Sequence, residues 1–225
     1  MRSGNKVIPA IAAIMILLHS CAPVYVPNVI NAPMLTNKGE VQVALHAGTS
    51  GVDPQFAYAI TNNIGIMVNG SFQNSTSDST NDYHKHGFGE IGLGYLKAIG
   101  QRGKFETFIG YGKGSIEALY ENSLWTSRSK VDMGRFFIQP TIGVTSKVLD
   151  LGLSTRLSFI GITDGTDKVN RVFAEPAVTA KLGWDHLKIV GQLGISSQFN
   201  DDDVINYQPF LFSLGIQGNF GKVFK

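Results

Sequence analysis

Charge is scarce in this chain. Asp, Glu, Lys and Arg make up 16% of its 225 residues, well below the quarter or so usual for soluble domains. A soluble sandwich or barrel turns toward water a face rich in Lys, Glu and Thr, and so low a charge content argues against one. Cysteine is scarcer still: Cys21 stands alone, which excludes an internal disulfide. Net charge is missing as well. Loss of an N-terminal segment carrying Arg2 and Lys6 takes 19 Lys+Arg to 17, equal to the 17 Asp+Glu, so no basic field remains to attract nucleic acid.

What the chain has instead is alternation. From Arg135 to Val144 one face reads Phe136, Ile138, Pro140, Ile142 and Val144, and the other Arg135, Phe137, Gln139, Thr141 and Gly143. After a short turn near Ser146, a return strand sets Leu149, Leu151, Leu153, Leu157 and Phe159 against Asp150, Gly152, Ser154, Arg156 and Ser158. The period of two makes both segments β-strands. One face is large and apolar, the other small and polar with sparse charges of both signs. That dyad suits a membrane barrel, with the apolar face toward lipid and the polar face lining a narrow lumen. A soluble lipocalin-like barrel is the competing reading.

Similar segments recur near residues 40–48, 54–61, 64–74, 83–98, 103–119, 131–146, 148–163, 171–184, 187–199 and 206–221, which predicts an all-β, antiparallel up-and-down transmembrane barrel of about ten strands. The connections alternate: Asn74 to Asp82, Tyr120 to Lys130, Thr163 to Asn170 and Asn200 to Asn206 are long and polar, and those at the other end are tight. Outer-membrane barrels have short periplasmic turns and longer outer loops, so both chain ends are expected on the periplasmic side. Gln139-Pro140, Glu175-Pro176 and Gln208-Pro209 echo one another at hairpin spacing. Proline lacks a ladder donor, which predicts a bulge or an outer strand end at each.

Three regions follow. Residues 1–20 read as a signal peptide, with Arg2 and Lys6 ahead of the apolar run Val7 to Leu18. Residues 21–39 read as a lipidated periplasmic tether broken by Pro23, Pro27 and Pro33, extended and lodged in the periplasmic mouth. Residues 40–225 form the barrel. Leu18, His19, Ser20 and Cys21 resemble a bacterial lipobox, which implies cleavage before Cys21 and acylation of its thiol and new amino group. The tether and first strands (Tyr25, Pro27, Asn28, Asn31, Pro33, Met34, Leu35, Gly39, Glu40, then Gln55, Ala57, Tyr58, Ala59) resemble the opening of uncharacterised outer-membrane β-barrel lipoproteins of the Bacteroidota. The resemblance covers about forty residues and implies location and fold. Ser213 to Phe220 resembles, in part, the terminal strand that marks a chain for barrel assembly.

Candidate chemistry is thin. Gly87, Gly89 and Gly92 have the spacing of a nucleotide-binding turn, but Gly94, Tyr95 and Leu96 continue the strand and no helical period follows. These glycines are expected to give room to bulky lumen neighbours. Inward charges by alternation are Glu90, Glu106, Arg135, Arg156, Glu175 and Lys181, three acids and three bases suited to a closed network that fills and stiffens the lumen. Asp82, His84 and His86 share a strand face near an outer loop and open a hydrolase alternative, though no nucleophile or further metal ligand accompanies them in the sequence. Asp201, Asp202 and Asp203 read as a solvated loop. Tyr95, Tyr111, Trp125, Trp184 and Phe220 suit interfacial aromatic girdles. The expectation is a non-catalytic outer-membrane lipoprotein without cofactor or metal, its partners the bilayer and a larger outer-membrane assembly. A narrow small-solute pore is a further alternative.

Overall fold

The computed structural model describes residues 23–76, 83–121, 126–165, 167–199 and 205–221. Their regular elements are all strands: β1 (Val41–Gly48), β2 (Gly51–Ala59), β3 (Ile64–Thr76), β4 (Tyr83–Ile99), β5 (Gly103–Glu121), β6 (Thr126–Val144), β7 (Leu149–Asp164), β8 (Asp167–Gly183), β9 (Leu187–Ile195), β10 (Ser197–Gln198) and β11 (Phe210–Phe220). Each of β1 to β8 pairs antiparallel with its successor, and β11 pairs with both β9 and β1, so the sheet closes on itself. Closure leaves no free edge. With β10 taken as a continuation of β9 beyond Ser196, the barrel has the ten antiparallel staves that the periodicity predicts.

Side-chain orientation follows the dyad. Along β7 the residues from Leu149 alternate exposed and buried, with Asp150, Ser154, Arg156 and Ser158 turned in and Leu149, Leu151, Leu153 and Phe159 turned out. The outer surface carries large apolar groups on every side, Ile189 being 65% exposed and Leu193 62%. Each such side chain left in water forgoes about 1.5–3 kcal/mol of transfer free energy. Repeated round the whole circumference, this is the outer face of a transmembrane barrel. Tyr95, Tyr111, Trp184 and Phe220 all point outward; Trp125 lies outside the described residues.

The wall is uneven in height. β1, β2 and β9 have 8 or 9 residues, whereas β4 to β8 have 16 to 19. The surplus lies at the end opposite the turns 60–63, 100–102, 145–148 and 184–186, giving a turn rim and an extended rim. Two stretches expected as loops, Tyr120 to Lys130 and Thr163 to Asn170, are largely hairpin: β5 and β6 stay paired to Glu121↔Thr126, and β7 and β8 to Asp164↔Asp167. Polar residues interrupt the apolar alternation there, but backbone pairing does not require apolar side chains once the ribbon stands beyond hydrocarbon. On the shorter side, β1 and β2 are joined by Thr49 and Ser50 alone.

Pro54, Pro140 and Pro176 mark gaps in the ladder rather than bulges, while Pro209 lies directly ahead of β11, at its extended-rim end. The β2–β3 register skips from Val52↔Phe72 to Gln55↔Asn69 around Pro54, and β6–β7 skips from Ile138↔Leu157 to Thr141↔Ser154 around Pro140. Pro176 falls between Ala177↔Gly194 and Ala174↔Ser197. Equal numbers of residues are skipped on both strands, so the missing donor is absorbed without an extra residue.

Inward rings lie against glycines of the neighbouring strands. A Cβ on Gly110 would stand 2.3 Å from Phe137 Cζ and 2.4 Å from the Ile91 carbonyl oxygen, and one on Gly94 would stand 2.4 Å from Phe108 Cδ1. Gly92 plays the same part for Met67, at 3.0 Å, whereas a Cβ on Gly89 would meet nothing within 4 Å. Gly110→Ala is therefore expected to destabilise the refolded barrel by about 1–3 kcal/mol. A lowered urea midpoint in detergent would register this, with Gly89→Ala as the unchanged comparison.

Candidate functional site: an occupied lumen

The N-terminal segment threads the barrel. From Tyr25 through Leu35 nearly every residue is buried, in a segment whose apolar members are Val26, Val29, Ile30, Ala32, Met34 and Leu35. The sequence predicts an extended tether in the periplasmic mouth; the segment runs instead through the lumen from one rim toward the other. At the turn rim, Lys38 N–H donates to Asn62 Oδ1 (2.8 Å), Gly39 N–H to the Ala59 carbonyl (2.8 Å) and Thr36 N–H to Glu40 Oε2 (2.6 Å). At the other end Val24 N–H donates to the Asn206 carbonyl (2.8 Å), and Tyr25 makes a parallel bridge with Tyr207, just ahead of β11. Since β11 runs from the extended rim to the turn rim, a parallel neighbour runs the same way.

Met34, at φ 56°, is the one described non-glycine residue with left-handed backbone, where the chain bends out of the lumen. Its N–H is held by Glu106 Oε2 at 2.9 Å, and its sulfur occupies the space over Gly143, where a Cβ would come within 2.4 Å. Such a conformation persists only where its surroundings enforce it.

Four of the six inward charges form one buried network at mid-height. Arg135 pairs with Glu90 through a very short contact, Arg156 Nε pairs with Glu175 Oε2 at 2.7 Å, and Arg156 Nη1 stands 3.5 Å from Glu90 Oε1. These side chains are 0–3% exposed. The plug completes the network: Arg135 donates to Asn28 Oδ1 (2.6 Å) and Tyr25 Oη (3.1 Å), and Tyr25 Oη donates to Glu175. Asn69 Nδ2 donates to Glu90 Oε1 at 2.9 Å, and the Arg135 guanidinium lies 4.4 Å from the centroid of the Phe88 ring. Charges withdrawn from water this completely need partners on every side.

Glu106 and Lys181 lie nearer the turn rim and address the plug backbone instead. Lys181 Nζ donates to the Ala32 carbonyl (2.6 Å) and to Gln42 Oε1 (3.3 Å). A further buried pair, Lys188 Nζ with Asp150 Oδ2 at 2.6 Å, closes that end. Sequence reading missed this pair although both residues sit on the inward alternation. It also missed the glutamines Gln55, Gln139 and Gln192, whose amides carry donor and acceptor together and so match a peptide group. The missed signal for the plug was hydrophobicity: Val26, Val29, Ile30, Met34 and Leu35 are too apolar for a solvated linker.

His84 and His86 face inward toward the extended rim. His84 Nε2 lies 2.9 Å from His86 Nδ1, and His86 Nε2 lies 3.0 Å from Ser71 Oγ. All three are buried, and a void of about 10 Å³ beside Ser71 and His86, lined also by Val26, Asn28 and Ser115, has room for roughly one water. Among the described residues no group of three or more His, Cys, Asp or Glu is arranged to hold a metal. Cys21, Asp82 and Asp201–Asp203 lie outside the described residues.

No family model matches the chain. No curated protein matches it either. Among solved structures, the chain is similar to the translocator domain of the autotransporter NalP from Neisseria meningitidis, at TM-score 0.48 and 12% identity over 81% of this chain and 86% of that one. It is also similar to the CymD monoaromatic hydrocarbon channel, at TM-score 0.33 and 6% identity over 83% of this chain and 90% of that one.

Proposed function

We propose that this protein is a plugged, non-catalytic barrel of the outer membrane, a lipoprotein acylated at Cys21 that serves as a structural or accessory component docking to a larger outer-membrane assembly. The observation that carries the reading is the filled lumen. The segment from Tyr25 to Leu35 occupies the axis, and Glu90, Arg135, Arg156 and Glu175 lock it at mid-height. Eight strands already leave an interior that side chains fill, and wide aqueous channels need about sixteen, so ten strands around a peptide leave no path for bulk diffusion. An apolar outer face on every side supports membrane embedding. The likeness of the tether to Bacteroidota outer-membrane lipoproteins supports the acyl anchor. The sequence reading set that anchor on the periplasmic side; the path of the plug favours the opposite end.

The test is a planar-bilayer recording of the purified full chain. The expected result is no steady unit conductance, and reproducible unit steps would favour the small-solute pore. Incorporation of radiolabelled palmitate, abolished by Cys21→Ser, is expected in parallel. The hydrolase alternative has one observation in its favour, the chain of contacts from Ser71 through His86 to His84. Its burial beneath the plug counts against it. Esterase or protease activity in the purified protein that His86→Ala removes without loss of folding would reinstate it.

A further inference from the structure

We infer that the barrel wall is built to bind an extended peptide backbone, and that the chain crosses the membrane once more through its own lumen. Pro23, the first described residue, then stands on the extended-rim side, opposite the start of β1. This rests on the reading that the barrel spans an outer membrane.

Contacts to successive main-chain groups carry the argument. The Asn28 carbonyl accepts from Arg156 (3.0 Å) and the Val29 carbonyl from Gln55 (3.0 Å). Gln192 grips the Ile30 peptide from both sides, its Oε1 accepting from the N–H and its Nε2 donating to the carbonyl, each at 2.8 Å. The Asn31 carbonyl accepts from Gln139 (2.7 Å), the Ala32 carbonyl from Lys181 (2.6 Å), and the Met34 N–H donates to Glu106 (2.9 Å). These six wall residues come from β7, β2, β9, β6, β8 and β5, so the peptide is held from around the circumference. Strands would satisfy such groups with their own backbone; here side chains do it, as they must for a segment buried along the axis. A plug that merely filled space would need shape and not this succession of peptide-directed partners. Direction is fixed independently by the parallel bridge of Tyr25 with Tyr207 and by the anchoring of Lys38 and Gly39 at the turn rim.

The test places an epitope between Ala22 and Pro23, or after Lys225, in the full chain expressed in an outer-membrane host. The expected result is that antibody labels the first tag on intact cells as fully as after permeabilisation, whereas the second needs permeabilisation. Both tags on one face would overturn the inference. Opposite faces with the reverse sidedness would support threading and refute the orientation that puts the extended rim outside. Because a tag could itself block threading, the untagged Cys21→Ser chain carrying Asn31→Cys and Asn69→Cys is the second measurement. The native amides are 2.7 Å apart across the lumen. Rapid oxidative crosslinking, seen as a reductant-sensitive mobility shift of the folded band, is expected, and its absence in a heat-modifiable barrel would overturn the inference. A chain that crosslinks yet stays soluble without detergent would refute the membrane reading and leave the threaded lumen standing.

Discussion

Excision of residues 23–35, joining Ala22 to Thr36, is expected to give a barrel with resolvable unit conductance where the full chain is expected to show none. The segment's backbone and side chains occupy the lumen axis, and the space inside a ten-stranded barrel lies only modestly above the eight-stranded case that wall side chains fill alone. Once the plug is gone, Gln55, Gln139, Gln192 and Lys181 lose their peptide partners, and water can take the vacated positions. Buried groups of this kind cannot stay dry without a large penalty. Hydration of the vacated axis from rim to rim is a conducting path. Planar-bilayer recording of the excised protein, after heat-modifiable mobility has shown that the barrel is closed, checks the expectation. Persistent silence would mean that the wall collapses onto the vacated axis.

Arg135→Met should be among the most damaging single substitutions in the chain, costing about 3–5 kcal/mol. The methionine keeps much of the bulk but removes the cation that faces Glu90, and it leaves Asn28 Oδ1 and Tyr25 Oη short of a donor. Arg156 stands 3.5 Å from Glu90 and is already engaged with Glu175 at 2.7 Å, so it compensates only partly. Adding Glu90→Gln should restore most of the loss, because the penalty arises chiefly from the stranded carboxylate and not from the value of the pair. Guanidinium unfolding of the single and double variants in detergent gives the coupling energy. If the two losses simply added, Glu90 and Arg135 would not act as a pair.

The wall of this protein was legible because its information is local. Alternation from Arg135 to Phe159 reports which face each residue takes, and the same alternation places Glu90, Arg135, Arg156 and Glu175 inward without any knowledge of their neighbours. Who meets whom is a different matter. Glu90 and Arg135 lie on β4 and β6, which are not adjacent in the sheet, and their contact depends on curvature that no strand encodes alone. The plug was misread for a related reason. Pro23, Pro27 and Pro33 signal irregular backbone, which is correct, but irregular backbone is normally solvated. Tyr25, Asn28 and Asn31 have their partners across the lumen on strands far along the chain. The hairpins of the extended rim were called loops since polar composition marks where lipid contact ends and says nothing about where pairing ends.

The threaded segment also constrains the order in which the molecule is put together. The ring closes between its first and last strands, from Val41↔Phe220 to Gly48↔Ser213, a pairing of very high sequence separation and hence the slowest kind to form. With Cys21 acylated as proposed, the N-terminus could not be passed through a ring once that seam is shut. On that reading the segment is laid down first, and the remaining strands curl round it before β11 meets β1. What fills the lumen of the finished molecule would then be a mandrel during biogenesis, with the wall side chains that bond its peptide groups helping to set the ring's circumference. The finished object is a ring on a thread that is continuous with the ring itself. Withdrawing the thread requires either reopening the seam or drawing its N-terminal end back through the lumen.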